Sequence, residues 1–277
     1  MDLEIRIRKI GIHSFMTKII VSGCSFSDQE YKYYIGNEEK GVYDPEAPDW
    51  LIGYPYPIWP EIVADEYGLE LINCSTSGSG NDQIIDDAIK SVIEHPDAKI
   101  MLIGLTQWFR VSIGPYKFNF EFLNKRWTNL PDESITKWTL RAFEGEVTYD
   151  NLPRRKLVER TLSSIYKLIQ ICKLKNIRLY IFQLLESFNR PRHYAFRKGM
   201  LNDIHFSAIE GHLDDPDINL IGWPFNPVLG GFNTLDEIKY FESPWQISET
   251  DAHPNEIGME KIAEQVIKNL KKVNFYV

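Results

Sequence analysis

The chain has 277 residues, more than one ordinary core needs and fewer than two full domains usually take, so we predict one enlarged domain over 1–277. With 43% apolar and 25% charged residues, its composition is that of a folded protein and excludes a disordered or fibrous one. The formal net charge is −8, and no long basic run is present. This balance argues against a nucleic-acid or membrane-surface partner and favours a small or neutral one.

The chain begins without the features of an exported or membrane-spanning protein. Residues 1–11 alternate charged and apolar side chains and lack the apolar core of a secretory signal. No apolar run is long enough to cross a bilayer, and three cysteines are too few for a disulfide framework. We therefore expect a cytoplasmic location. Because the run that begins at Met16 is a natural strand-first start, residues 1–15 are either an extension before the first strand or a misassigned start.

Short apolar runs alternate with helical periodicity along the chain. This alternation is typical of βαβ units and a mostly parallel sheet. Strands are predicted at 17–22, 69–74, 99–105 and 177–183. Apolar stripes predict helices over 84–93, 157–172 and 257–270, the first of them capped by Asn81 or Asp82.

Three stretches, 31–58, 106–153 and 186–247, interrupt the alternation and are rich in aromatic residues, Pro and Gly. We interpret them as insertions, because long loops inside a compact domain usually form lids or binding surfaces. Their tryptophans could stack on sugar rings or nucleobases, or could fill a secondary core. The residues concerned are Trp127, Trp138, Trp223 and Trp245.

The segment after the first predicted strand offers a candidate nucleophile. It reads GCSFS over 23–27, and Gly23 allows a sharp turn that exposes the Ser25 hydroxyl at the strand's carboxyl end. A serine needs a base to take its proton and donors to receive the oxyanion before it can attack a carbonyl. Taken alone, a Gly-x-Ser after a strand is more often a plain turn or a helix cap than a nucleophile.

Two further segments follow strands and supply hydrogen-bond donors. The small-residue loop at 73–82 contains glycines that allow backbone N–H groups to approach a ligand. It lacks the lysine and the spacing of phosphate-binding loops, which argues against nucleotide binding. The segment after the third strand offers side-chain donors from Thr106, Gln107 and Arg110.

A fourth segment, DAHPN at 251–255, lies directly before the last predicted helix. His253 is the best candidate base among the six histidines, because it lies in this loop and has Asp251 two residues upstream. In open parallel sheets, ligands bind outside the carboxyl ends of the strands. We expect all four segments to meet at that edge.

In this chain order, GCSFS, the 73–81 run NCSTSGSGN, GLTQ at 104–107 and DAHPN resemble the four sequence blocks of the SGNH hydrolases, also called GDSL-type esterases. The resemblance spans roughly residues 17–270. It implies a flavodoxin-like three-layer α/β/α fold with a central parallel sheet, interrupted here by the long insertions. The sequence also resembles uncharacterised bacteriophage SGNH-like proteins. This second resemblance implies a virion as an alternative location.

The resemblance also implies roles for individual residues. Ser25 is the expected nucleophile and His253 the general base, with Asp251 as the acid that orients it. The backbone N–H groups of Ser25 and Gly78 are expected oxyanion donors.

The third block usually supplies an Asn as a further oxyanion donor, and Thr106 occupies that position with Gln107 beside it. Asn81, Trp108 and Arg110 are candidates for substrate contacts. Two other departures from the family pattern are Cys24 in place of the Asp before the serine and an acid two, rather than three, residues before the histidine.

These features predict a serine-dependent esterase acting on a small acyl ester, with a carbohydrate O-acetyl group as one candidate. The alternative is a catalytically weakened SGNH-like binding or structural module. No cofactor or metal is expected. A metal site could be assembled from the segment 205–217, but Asp-rich loops are usually only solvated; its residues are His205, His212, Asp214, Asp215 and Asp217.

Cys24 and Cys74 flank the expected site and invite a thiol-based alternative. No basic residue is placed to lower the pKa of either thiol, which favours a role as small buried hydrophobic side chains.

Overall fold

The computed structural model describes residues 17–31, 54–108, 110–113, 116–119, 152–185, 203–225, 244–247 and 253–275. In chain order, the elements within these ranges are β1 (Lys18–Ser22), α1 (Trp59–Tyr67), β2 (Glu70–Asn73), α2 (Asn81–Glu94), β3 (Ile100–Leu105), β4 (Arg110–Ile113), β5 (Tyr116–Asn119), α3 (Leu152–Lys175), β6 (Arg178–Gln183), α4 (Ile204–Glu210), β7 (Ile218–Leu220) and α5 (Glu256–Lys272).

Five parallel strands form the central sheet in the order β2-β1-β3-β6-β7. When the five strands are numbered by their order along the chain, they follow the order 2-1-3-4-5 of flavodoxin-like folds. In this order, the direction in which successive strands are added to the sheet reverses between β1 and β3. The central strand β3 is buried along its whole length, as expected for a strand covered on both faces. The four predicted strands are confirmed to within a residue or two at each end.

Helices cover both faces of the sheet. The crossover from β1 to β2 runs opposite to the crossover from β2 to β3, so right-handed connections place α1 and α2 on opposite faces. Accordingly, α1 packs against α5, whereas α2 packs against α3 and α3 against α4. The predicted three-layer α/β/α arrangement is therefore confirmed. None of the helices in the described ranges combines the length and the apolar character needed to span a bilayer.

Part of the range predicted as the 186–247 insertion belongs to the central layers. It contains α4 and the edge strand β7, which pairs with β6 through contacts such as Leu179 with Ile218. This strand was missed because it has only three residues and follows an Asp- and Pro-rich turn. The predicted insertion at 106–153 contains a separate antiparallel hairpin, β4-β5. Helix α1, which directly follows the predicted insertion at 31–58, was also missed.

The start of α2 differs from the prediction. Gly80 is the N-cap residue, and Asn81 is the first residue of the helix. The Asn81 side chain does not cap the helix, because its amide is bonded to the backbone of Thr106 on the neighbouring loop. Gly80 fits the cap position because an added Cβ would collide with the backbone carbonyl of Arg110.

Candidate active site

Ser25 lies in a tight turn directly after β1. The turn is closed by a 2.8 Å hydrogen bond from the Ser27 N–H to the Cys24 carbonyl. Gly23 is required where the strand enters the turn, because a Cβ there would overlap the Ser27 hydroxyl. The turn thus places Ser25 at the carboxyl end of β1, beside the point where the strand order reverses. Ligands bind at this point in flavodoxin-like sheets.

The structure brings Ser25 and His253 into contact across 228 residues of sequence. The Ser25 hydroxyl oxygen lies 2.8 Å from His253 Nε2, within hydrogen-bond range. Ser25 is only 4% exposed, and the contact is partly buried. A serine hydroxyl in this position can transfer its proton to the imidazole, as a serine nucleophile requires.

The loop that carries His253 is fixed from both sides. On one side, the Ile247 N–H donates to the His253 carbonyl at 2.9 Å and the Asn255 N–H donates to the Trp245 carbonyl at 2.9 Å. On the other side, Asn255 caps α5 by accepting from the Gly258 N–H at 3.0 Å. The imidazole is therefore held by the start of a helix rather than by a free loop.

Tyr31 contacts the second ring nitrogen of this imidazole, Nδ1, and also stacks on the ring. Its hydroxyl oxygen lies 2.8 Å from His253 Nδ1. The two rings also stack, with centroids 4.0 Å apart and an interplanar angle of 28°. Phe26 meets the imidazole edge-on at 5.2 Å between centroids. Sequence reasoning missed Tyr31, because no motif or periodicity links a tyrosine to a histidine 222 residues away.

Two more tyrosines extend this aromatic surface. Tyr54 stacks on Tyr31 with centroids 5.5 Å apart, and Tyr56 lies 5.5 Å from Tyr54. The Tyr54 hydroxyl donates to the Ser25 carbonyl at 3.2 Å, and the Tyr56 hydroxyl donates to the Pro254 carbonyl at 3.0 Å. Both ends of the 31–58 stretch therefore reach the Ser25–His253 pair.

The glycine-containing loop after β2 is bonded directly to the Ser25 turn. The Thr76 N–H donates to the Gly23 carbonyl at 3.2 Å, and the Asn73 side chain donates to the Ser27 carbonyl at 2.7 Å. Gly78 has a φ angle of +74°, in the left-handed region that residues other than glycine rarely adopt. This loop and the serine turn form one hydrogen-bonded unit.

Asp28 adds a further link between the two loops. Its Oδ2 accepts hydrogen bonds from the Ser77 N–H at 2.7 Å and from the Ser77 hydroxyl at 2.6 Å. Ser77 immediately precedes Gly78, so the carboxylate fixes the backbone next to the expected oxyanion donor.

The loop after β3 is held by buried amide side chains. Asn81 accepts from the Thr106 N–H at 2.8 Å and donates to the Thr106 carbonyl at 3.2 Å. Gln183 donates to the same carbonyl at 2.7 Å and accepts from the Trp108 indole N–H at 3.0 Å. These bonds satisfy backbone groups that would otherwise be buried without partners.

Three predicted site residues are deeply buried. Asn81 and Trp108 are each only 1% exposed; the Asn81 amide bonds to the Thr106 backbone, and the Trp108 indole N–H bonds to Gln183 at the end of β6. Both side chains support the loop, and their contact with substrate stays a prediction. Thr106 is fully buried, and its hydroxyl has no partner within the part of the chain that the structure describes.

Gln107 and Arg110 are the more accessible members of this segment. Both are half-buried, and Arg110 Nε donates to Gln107 Oε1 at 3.3 Å. Gln107 stays a predicted oxyanion donor, and Arg110 stays a predicted substrate contact.

The first turn of α2 carries a buried carboxylate. Burial raises the pKa of Asp82, even though the Arg160 guanidinium lies 2.5 Å from its Oδ2 and favours the charged form. The ion pair and the backbone hydrogen bonds at this helix N-terminus oppose the shift, because both favour the charged carboxylate.

Cys74 and Cys172 are unsuited to thiolate chemistry. Burial raises the pKa of the Cys172 thiol to about 12, and burial also raises the pKa of Cys74. Cys74 donates its S–H to the Val21 carbonyl at 3.3 Å. Cys24 is fully buried within the turn that carries Ser25.

The residues considered for a metal site are engaged in separate pairs. Asp215 pairs with Lys173 at 2.7 Å, Asp217 with Arg178 at 3.7 Å, and His212 Nε2 lies 3.1 Å from the Gln170 amide. Within the described ranges, no three His, Cys, Asp or Glu side chains come together around a possible ion.

Several expectations fall outside the described residues. These are the role of Asp251, the extension at 1–15, most of the predicted insertions, and the side chains of Trp127 and Trp138.

The sheet order and the helices on both faces define a flavodoxin-like three-layer α/β/α fold with a central parallel sheet, as predicted. An acetyl xylan esterase from the rumen bacterium Butyrivibrio proteoclasticus has a TM-score of 0.50 and 11% identity, over 94% of this chain and 65% of that one.

Two other esterase structures align over most of both chains. A catalytic mutant of an acetylxylan esterase from Geobacillus stearothermophilus has a TM-score of 0.47 and 11% identity, over 94% and 95% of the two chains. A psychrotrophic esterase from Pseudoalteromonas sp. has a TM-score of 0.43 and 13% identity, over 92% and 97%. At 11% identity, the similarity to the Butyrivibrio enzyme is one of fold. No protein-family model matches the chain, and no curated protein matches its sequence.

Proposed function

We propose that this protein is a serine-dependent esterase that hydrolyses small acyl esters. The observation that carries the proposal is the 2.8 Å contact between the Ser25 hydroxyl and His253 Nε2 at the reversal point of the sheet. Ser25 Oγ attacks the ester carbonyl carbon while its proton passes to His253 Nε2. The same proton then goes to the departing alcohol as the C–O bond breaks and an acyl-enzyme remains.

In the second half of the reaction, His253 takes a proton from water, and the resulting hydroxide attacks the acyl carbonyl. The bond to Ser25 Oγ breaks, the acid leaves, and the serine regains its proton. Both tetrahedral intermediates carry negative charge on oxygen. We assign its stabilisation to the Ser25 and Gly78 backbone N–H groups, which lie in the two bonded loops, with Gln107 as a third donor. Asp251 is proposed as an acid near His253.

The substrate class that we propose is an acetylated carbohydrate. The support is the surface formed by Tyr31, Tyr54 and Tyr56 beside His253, because aromatic rings pack well against the apolar faces of sugars. The small acyl group is consistent with a nucleophile that is only 4% exposed.

The test is covalent labelling with a fluorophosphonate probe, combined with hydrolysis of p-nitrophenyl acetate. We expect the wild type to be labelled and active, and Ser25→Ala to lose both properties. His253→Ala should lower kcat by about 10²–10⁴-fold, as loss of a general base does. Ser27→Ala is the matched control, since the Ser27 hydroxyl is fully buried and accepts from the Trp59 indole N–H at 3.0 Å. This variant should still be labelled.

A binding module is the second candidate, and the buried state of Thr106 favours it. The position expected to supply an oxyanion donor presents no exposed group, and losing one such donor typically costs about 10²–10³ in kcat. Labelling of Ser25→Ala equal to that of the wild type, or hydrolysis no faster than in buffer, would reject the esterase proposal and favour the module. Release of acetate from acetylated xylan, compared with longer p-nitrophenyl esters, tests the substrate class.

A further inference from the structure

We propose that Tyr31 helps to orient His253 by accepting a hydrogen bond from its Nδ1–H through the phenolic oxygen. The inference rests on the proposed function, because it deepens the role of the same histidine. The two ring nitrogens have separate partners: Ser25 Oγ lies 2.8 Å from Nε2, and Tyr31 OH lies 2.8 Å from Nδ1. Tyrosine, histidine and serine thus form one continuous chain of contacts.

The chemistry of a general base fixes the direction of these hydrogen bonds. His253 can accept the serine proton only if Nε2 carries a lone pair, which requires the neutral imidazole to hold its proton on Nδ1. The Tyr31 oxygen then receives that N–H, as a carboxylate does in a Ser-His-Asp triad. A phenol can select this tautomer as a carboxylate does. Because the phenol is neutral, it stabilises the imidazolium less than a carboxylate would.

Tyr31 is itself held in place by the loops that form the site. Its backbone N–H donates to the Asp28 carbonyl at 3.2 Å, and the Asp28 carboxylate is bonded to Ser77. Its ring is packed between the imidazole at 4.0 Å and Tyr54 at 5.5 Å. The hydroxyl is therefore positioned by the same network that positions Ser25 and Gly78.

The test measures the tautomer of His253 directly and does not depend on activity. The protein is labelled with ¹⁵N-histidine, and the ring nitrogens are observed by NMR in the wild type, Tyr31→Phe and Tyr56→Phe, with His253→Gln for assignment. Tyr56→Phe is the matched control, because it removes a tyrosine hydroxyl that bonds to the Pro254 carbonyl of the same loop.

We expect a protonated Nδ1 in the wild type and in Tyr56→Phe, and a rise of the Nε2–H tautomer in Tyr31→Phe. A wild-type histidine protonated on Nε2, or a Tyr31→Phe spectrum equal to the wild type, would overturn the inference. So would a tautomer change in Asp251→Asn without one in Tyr31→Phe.

Kinetics separates this inference from the proposed function. If the wild type hydrolyses p-nitrophenyl acetate, Tyr31→Phe should lower kcat about tenfold, the equivalent of one ordinary hydrogen bond, with KM nearly unchanged. Full activity in Tyr31→Phe would overturn the inference and leave the esterase proposal standing. An inactive wild type that still shows the tautomer change would reject the esterase proposal and leave the role of Tyr31 supported.

Discussion

The carboxylate of Asp28 accepts both the backbone N–H and the hydroxyl of Ser77, at 2.7 Å and 2.6 Å. Asp28 follows the turn that holds Ser25, and Ser77 precedes Gly78, so this pair helps to set the distance between the proposed nucleophile and the proposed oxyanion donor. Hydrogen bonds to a charged acceptor are among the stronger ones in proteins.

Asp28→Ala should therefore weaken both the fold and the proposed catalysis. We expect the free energy of unfolding to fall by about 1.5–3 kcal/mol and kcat for p-nitrophenyl acetate to fall about tenfold, because Gly78 loses its anchored neighbour. Urea denaturation and steady-state kinetics measure the two effects. Asp28→Asn keeps an acceptor oxygen and should lose less of both. Wild-type kcat in a folded Asp28→Ala protein would show that the pair only stabilises the loops.

A second prediction concerns the close approach of Gly80 to the Arg110 backbone. A Cβ at residue 80 would overlap the Arg110 carbonyl oxygen, so either the start of α2 or the hairpin must move. We expect Gly80→Ala to lower the free energy of unfolding by about 1–3 kcal/mol.

Gly211→Ala is the control for this prediction, since it has helical φ and ψ angles and its Cβ would meet its nearest neighbour at 3.4 Å. It should change the free energy of unfolding by no more than about 1 kcal/mol. Equal losses in the two variants would contradict the steric explanation.

The sequence contains strong signals for the sheet and weaker ones for the site. The strands Lys18–Ser22, Ile100–Leu105 and Arg178–Gln183 are predictable because they are apolar runs that are buried on both faces. The strand Ile218–Leu220 carries no such signal, since three residues are too few to show a pattern.

At the site, Ser25 and His253 could be proposed because each stands in a motif at the end of a strand or the start of a helix. The Tyr31 contact and the burial of Asn81 and Trp108 could not be foreseen. They depend on how the loops pack, which no local pattern encodes.

The cysteines provide a test of burial. Burial raises the pKa of Cys172 to about 12 and also raises the pKa of Cys74. In the folded protein, neither thiol should therefore form appreciable thiolate at about pH 8. A disulfide-exchange reagent such as Ellman's reagent should react slowly with the native protein. After denaturation, all three cysteines of the chain should react at once. A rapid native reaction at Cys74 or Cys172, mapped by mass spectrometry, would contradict the described packing.

Two carboxylates should give opposite dependences of stability on pH. The hydrogen bond from Lys18, 2.8 Å away, lowers the pKa of Asp97, so its folded form releases the proton more readily than its unfolded form. Its stabilising contribution should be present above the unfolded pKa of about 3.9 and be lost as the pH falls through the lower folded value. Compared with the wild type, Asp97→Asn should therefore be less stable at neutral pH, and this deficit should shrink in acid.

Asp82 behaves in the reverse way, because burial raises its pKa. The native state keeps the proton after the unfolded chain has lost it, so the wild type loses stability relative to Asp82→Asn as the pH rises above about 3.9. Urea denaturation of the wild type and both variants between about pH 3 and pH 7 measures the two slopes. Slopes of the same sign would mean that the Arg160 ion pair, 2.5 Å from Asp82, outweighs the cost of burying its charge.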